Sequence, residues 1–133
     1  MKIVSLDGAA LNPGDMSWSC FEQFGEVTVY PRTPTEEETI DRIGDSDIVL
    51  LNKVPITKAV LDACPSVKLI CCLATGYNVV DTETAKSKGI PVCNVPAYST
   101  RSVSQAPPSM GFSRQEYWSE LRLQEVSCCC CCC

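Results

Sequence analysis

The stretch CCLATGYNVVD, residues 71–81, decides how the chain is read. An oily run ends at Leu73, passes through Ala74, Thr75 and Gly76, presents an aromatic and an amide at Tyr77 and Asn78, and reaches Asp81. Aspartate commonly caps a helix, so the stretch reads as a junction from strand to helix. A glycine placed there either turns the chain or leaves backbone open to a ligand, because a missing Cβ permits close approach and a positive φ.

Working outward, the same grammar repeats. Strand-like runs fall at residues 2–6 (KIVSL), 26–30 (EVTVY), 47–51 (DIVLL), 68–73 (KLICCL) and 91–95 (PVCNV). Most are continuously apolar, as expected where helices cover both faces of a sheet; EVTVY alternates and suits an edge. Helix candidates lie between them. Asp15, Met16 and Ser17 open a segment with Trp18, Phe21 and Phe24 at helical spacing, closed by Gly25. Thr35 precedes Glu36, Glu37 and Glu38, acids in a first turn favoured by the helix dipole, with Ile40 and Ile43 facing inward. Thr57 caps a helix carrying Val60 and Leu61 and stopped by Pro65, and Asp81 caps residues 82–88, stopped by Gly89. This order, β-α four times and then β, predicts an α/β fold: a parallel sheet of about five strands, helices on both faces, right-handed crossovers. Ligands of such a sheet sit beyond the carboxyl ends of its strands, which singles out residues 7–14, 52–55, 74–79 and 96–100.

Composition excludes several functions. The chain of 133 residues is long enough for one domain with a core and too short for two. A net charge of -5 without a Lys/Arg cluster argues against nucleic-acid partners. No apolar run approaches the ~20 residues of a membrane span, and the start lacks a signal-peptide pattern, so no membrane partner and a cytoplasmic location are expected. There is no histidine, which removes imidazole as acid, base or metal ligand. Of eleven cysteines, six form the terminal run 128–133; Cys20, Cys64, Cys71, Cys72 and Cys93 lie in apolar segments, where a reduced thiol packs as a small hydrophobe. Six adjacent thiols lack the spacing of a tetrahedral metal site, and no metal is expected.

The β-α rhythm stops after Gln105. Ala106, Pro107 and Pro108 break any helix begun near Ser99, and residues 113–126 offer only a marginal amphipathic helix with Tyr117, Leu121 and Val126 on one side. The expected organisation is a domain over 1–105 and an irregular, unrelated tail over 106–133.

The stretches VSLDGAALNPGDMSW, GEVTVYPRTPTEE, DIVLLNKVPIT, LATGYNVVD, KGIPVCNVPAYST and SVSQ, in this order and spacing, resemble the N-terminal part of the D-isomer-specific 2-hydroxyacid dehydrogenases, of the glycerate dehydrogenase or hydroxypyruvate reductase type. The resemblance covers residues 1–105 and implies a partial substrate-binding domain with a flavodoxin-like sheet. It also implies a small 2-oxo or 2-hydroxy acid as partner, NAD or NADP as cofactor of the complete enzyme, and homodimers. On the matching positions, Thr75 and Gly76 bind the substrate carboxylate through backbone amides, Asn52 and Lys53 line the same cleft, and Val103 lies near the nicotinamide end of the cofactor. No catalytic residue is carried over, because the family's Arg, Glu and His lie beyond the stretch that matches. The seven glycines, at 8, 14, 25, 44, 76, 89 and 111, never take the G-x-G-x-x-G spacing of a dinucleotide loop. These residues alone are therefore expected to be inactive and to bind no cofactor. The segment containing MGFSRQEYWS resembles translated repeat sequence, which suggests a truncated, fused or mispredicted reading frame.

The rival reading is a free-standing flavodoxin-like binding module. A phosphoacceptor receiver would want an Asp ending the third strand and a Lys ending the fifth, where Leu51-Asn52 and Val95-Pro96 stand instead. A flavin site would want a hydroxyl-rich phosphate loop after the first strand, and LDGAALNPG has few hydroxyls.

Overall fold

The computed structural model describes residues 1–12, 14 and 17–97. Val103, the tail 106–133 and the helix candidate at 113–126 lie outside the described residues. The elements run β1 (Lys2–Ser5), α1 (Gly8–Leu11), α2 (Ser19–Glu22), β2 (Glu26–Val29), α3 (Glu36–Ile43), β3 (Ile48–Leu51), α4 (Lys58–Ala63), β4 (Leu69–Cys72), α5 (Thr82–Ser87) and β5 (Val92–Cys93). All pairings are parallel and the strand order is β2-β1-β3-β4-β5. This is the flavodoxin-like order, and its direction reverses between β1 and β3. The alternating strand EVTVY does form an edge, with Glu26 and Thr28 exposed.

Register divides the sheet into two faces. Val4, Val49, Ile70 and Val92 pair across four strands, so they share one face with Leu51 and Cys72. They join Ile43, Val60, Leu61 and Ala85 from α3, α4 and α5 in one buried cluster. The other face carries Ile3, Val29, Leu50 and Cys71. Gly8 and Trp18 pack there beside Val29, so α1 and α2 lie on the side opposite the main core.

Local chemistry fixes the helix starts. The Thr35 hydroxyl accepts from the Glu38 amide, Thr57 from the Val60 amide at 3.4 Å, and Asp81 from the Thr84 amide at 3.0 Å. Each satisfies a donor that the first turn leaves without a partner. The segment between β1 and β2 departs from expectation. Instead of one helix bearing Trp18, Phe21 and Phe24, there are two single turns, and the first falls inside residues 7–14, read above as loop. The second ends at Glu22, leaving Phe24 57% exposed. The reason lies at Gly25, whose φ of +155 and close approach to the Met1 carbonyl return the chain to the sheet; a Cβ there would lie 2.0 Å from that oxygen. Cys20 likewise departs from its packed role: it is exposed, whereas Cys64 and Cys72 are buried and Cys71 and Cys93 half-buried.

Candidate functional site

Two loops meet at the carboxyl ends of the central strands. Asp7 follows β1, and its carboxylate is nearly buried, with 6% exposure. It reaches across to the loop after β3, accepting from the Asn52 amide at 3.0 and 3.1 Å and from the Lys53 amide at 2.9 Å. A buried carboxylate is costly without donors, and three charge-assisted contacts supply them. The ladder makes this geometry available: the Leu6 amide bonds Leu50 O at 3.0 Å, which brings the next residue of β1 level with the end of β3. Asn52 is half-buried and Lys53 exposed, so their backbones serve Asp7 while the Lys53 ammonium faces solvent and forms no ion pair among the described residues.

The neighbouring loop, after β4, is built the opposite way. The Leu73 amide continues the ladder to Leu51 O at 2.7 Å. The Val95 amide then binds Ala74 O at 3.1 Å, and the Asn94 side chain donates to Thr75 O at 2.8 Å. Further on, the Val80 amide closes a turn onto Tyr77 O, and a bridge between Ile56 and Val80 ties this loop to the one after β3. Between these anchors the amides of Thr75, Gly76, Tyr77 and Asn78 donate to no group among the described residues, and all four residues are exposed. Unengaged N–H groups on exposed backbone are available to donate to an anion.

Gly76 stands in the loop after β4, where the apolar run ends. Its φ is not left-handed, nor is that of Asn78, so the turn does not draw on glycine's conformational freedom. What remains is access: the missing Cβ leaves this exposed backbone open to approach, and a Cβ on Gly76 would meet Asn78 Oδ1 at 3.1 Å.

The two buried thiols, Cys64 and Cys72, are shifted away from ionisation. Burial, assisted by the Asp7 charge and by Cys93, pushes the Cys72 thiol up to about 11, and burial also raises Cys64. Both stay protonated near neutrality. Among the described residues no group of His, Cys, Asp or Glu could hold a metal ion, and no helix is long and apolar enough to cross a membrane.

The structure thus brings Asn52 and Lys53 to one wall and Thr75 and Gly76 to the adjacent one, on strands about 4.8 Å apart. Val103 lies outside the described residues. Two residues with definite roles escaped the sequence reading, Asp7 and Asn94. Each carried a faint signal: an acid directly after a continuously apolar run, and an amide inside one.

A five-stranded parallel sheet in this order, with exposed amides in the loop after β4, defines the chain as a flavodoxin-like α/β protein. The chain belongs to the D-isomer specific 2-hydroxyacid dehydrogenase family, whose catalytic-domain profile matches residues 7–107. It is 56% identical over 107 residues to a hydroxypyruvate reductase of Blautia hydrogenotrophica, covering 79% of this chain and 33% of that protein. It is 35% identical over 104 residues to a glycerate dehydrogenase of Methylorubrum extorquens, covering 78% of this chain and 32% of the relative. Among solved structures it is similar to an acyclic imino acid reductase in complex with NADPH and D-Arg, with a TM-score of 0.69, 30% identity, and coverage of 79% of this chain and 34% of that one. The chain spans about a third of the length of the curated relatives it matches.

The family implies a nicotinamide dinucleotide, and the described residues do not fit one. The turn after β1, where a phosphate loop would lie in a dinucleotide fold, presents the Asp7 carboxylate, which would repel a pyrophosphate. Gly8 in that turn packs against Val29, which a Cβ would approach to 2.4 Å, so this glycine serves helix-sheet contact. The same carboxylate is unsuited to the phosphate of a flavin nucleotide, which weakens the binding-module reading.

Proposed function

We propose that these residues form the acid-binding part of an NAD(P)-dependent D-2-hydroxyacid dehydrogenase acting on a glycerate- or hydroxypyruvate-like substrate. The observation that carries the reading is the run of amides from Thr75 to Asn78 that donate to no group among the described residues, with the exposed Lys53 in the loop after the adjacent strand. The Thr75 and Gly76 N–H groups bind the carboxylate of the 2-oxo or 2-hydroxy acid. The Lys53 ammonium draws that anion toward the edge, and the Asn52 side chain hydrogen-bonds its hydroxyl or carbonyl oxygen. The similarity to a hydroxypyruvate reductase and a glycerate dehydrogenase supports the substrate class.

The 133 residues contain neither a histidine to exchange the substrate proton nor a glycine-rich phosphate loop, so binding is the whole of their contribution. Hydride transfer belongs to a dinucleotide-binding part of the complete enzyme, a cytoplasmic homodimer. Isotope-labelled chain titrated with D-glycerate is expected to shift the amide resonances of residues 75–78, while hydroxypyruvate-dependent NAD(P)H oxidation stays at the level of buffer. Amides that do not respond would overturn the cradle, and turnover would overturn the division of labour.

A further inference from the structure

We infer that Asn94 is a positioning residue for the carboxylate cradle, acting through the orientation of the Thr75–Gly76 peptide unit. The inference rests on the reading of that turn as the carboxylate site. A trans peptide unit is planar, with its carbonyl and its N–H pointing in opposite directions. No cis peptide occurs among the described residues. Whatever takes the Thr75 carbonyl therefore decides where the Gly76 N–H points.

Two consecutive carbonyls are held by the chain just past β5. Ala74 O accepts from the Val95 amide at 3.1 Å, and Thr75 O from Asn94 Nδ2 at 2.8 Å. In an extended strand successive carbonyls alternate in direction. Here both turn to residues 94 and 95, so the N–H groups of Thr75 and Gly76 both turn away from that segment. Two successive amides facing together make an anion nest, which a continued strand would not offer. The first of the two units is fixed backbone to backbone. The second depends on one side chain, reaching 19 residues back along the chain. Asn94 is half-buried and touches neither nest amide, so its effect is on their direction.

Without the Asn94 donor, the Thr75 carbonyl is left to solvent and the unit can rotate, taking the Gly76 N–H out of line. Losing one aligned donor to a carboxylate corresponds to roughly tenfold weaker binding. The test uses the isotope-labelled full chain as parent, Asn94→Ala, and Asn94→Leu, which keeps the side chain's shape without its donor. The ligand-free readouts are the Gly76 N–H residual dipolar coupling and the Thr75 carbonyl carbon shift; the ligand readout is the affinity for D-glycerate.

The expected result is a changed Gly76 coupling in both variants, spectra otherwise preserved, and roughly tenfold weaker glycerate binding. An unchanged coupling overturns the inference, whether or not glycerate binds. A changed coupling with undiminished affinity overturns it as well. If the parent does not bind glycerate, the carboxylate reading fails, and the ligand-free coupling still decides whether Asn94 sets the peptide.

Discussion

The loops after β3 and β4 leave neighbouring strands at the same edge, yet they treat their backbone donors in opposite ways. After β3 the amides of Asn52 and Lys53 are taken by Asp7, a carboxylate supplied by the protein itself. After β4 the amides of residues 75–78 donate to no group among the described residues, while the carbonyls of Ala74 and Thr75 are the groups tied down. The switch point, where a doubly wound sheet ordinarily receives its ligand, is here filled by an internal anion. The proposed site for an external anion is displaced by one strand. On that reading two sets of backbone donors serve different ends, one holding β1 to β3 and the other binding substrate.

Removing Asp7 attacks this difference most severely. Asp7→Ala leaves two buried-side amides without an acceptor and deletes three charge-assisted contacts, at an expected cost of about 3 kcal/mol. Urea unfolding of the full chain measures it; a loss below about 1 kcal/mol would mean that the carboxylate does not hold the β3 loop. Formate, matched in size to the vacated carboxylate, should restore part of the loss in Asp7→Ala and do little for the parent.

The parts that were legible in the sequence are those governed by neighbours. Thr35, Thr57 and Asp81 each cap a donor three residues away, so pattern and outcome coincide. The alternation in EVTVY marked the edge because only an edge strand can leave Glu26 and Thr28 in water. The single-turn helices α1 and α2 were not legible, since four residues cannot display a period, and the spacing of Phe24 pointed to a turn that Gly25 cuts short. Within the site, Thr75 and Gly76 were marked by the break in an apolar run. Asp7 and Asn94 act on partners 45 and 19 residues away, and nothing local in the sequence specifies those pairings.

The Asp7 charge also reaches Cys72, the residue beneath both loops, and offers a second and smaller way to separate them. In the unfolded chain this thiol ionises near 8.5; in the fold it is pushed up to about 11, by burial first and by Asp7 and Cys93 after it. Between those values the folded state keeps a proton that the unfolded state has lost, so stability falls as pH rises. The contribution is complete below about pH 8.5 and gone above about 11. Stability curves across this interval should show about 3 kcal/mol more loss in the parent than in Cys72→Ala. Asp7→Asn should reduce the excess, because it removes one of the three causes. Equal slopes in parent and Cys72→Ala would show that the thiol is not held protonated by the fold.

The smallest effect on stability belongs to the residue with the largest place in the proposed binding. Gly76 has an ordinary φ, and an added methyl would press only on the end of the exposed Asn78 side chain, at 3.1 Å. Gly76→Ala should therefore change unfolding free energy by no more than about 0.5 kcal/mol. Placed next to the Gly76 N–H of the proposed cradle, the same methyl should crowd a bound carboxylate, so glycerate-induced shifts at residues 75–78 should be lost or strongly weakened. A variant as stable as the parent and blind to glycerate would separate the two nests by function, since the equivalent intrusion at Asp7 costs stability first. Were Gly76→Ala to unfold the domain, the glycine would be needed for the turn itself, and the contrast between a holding nest and a binding nest would not survive.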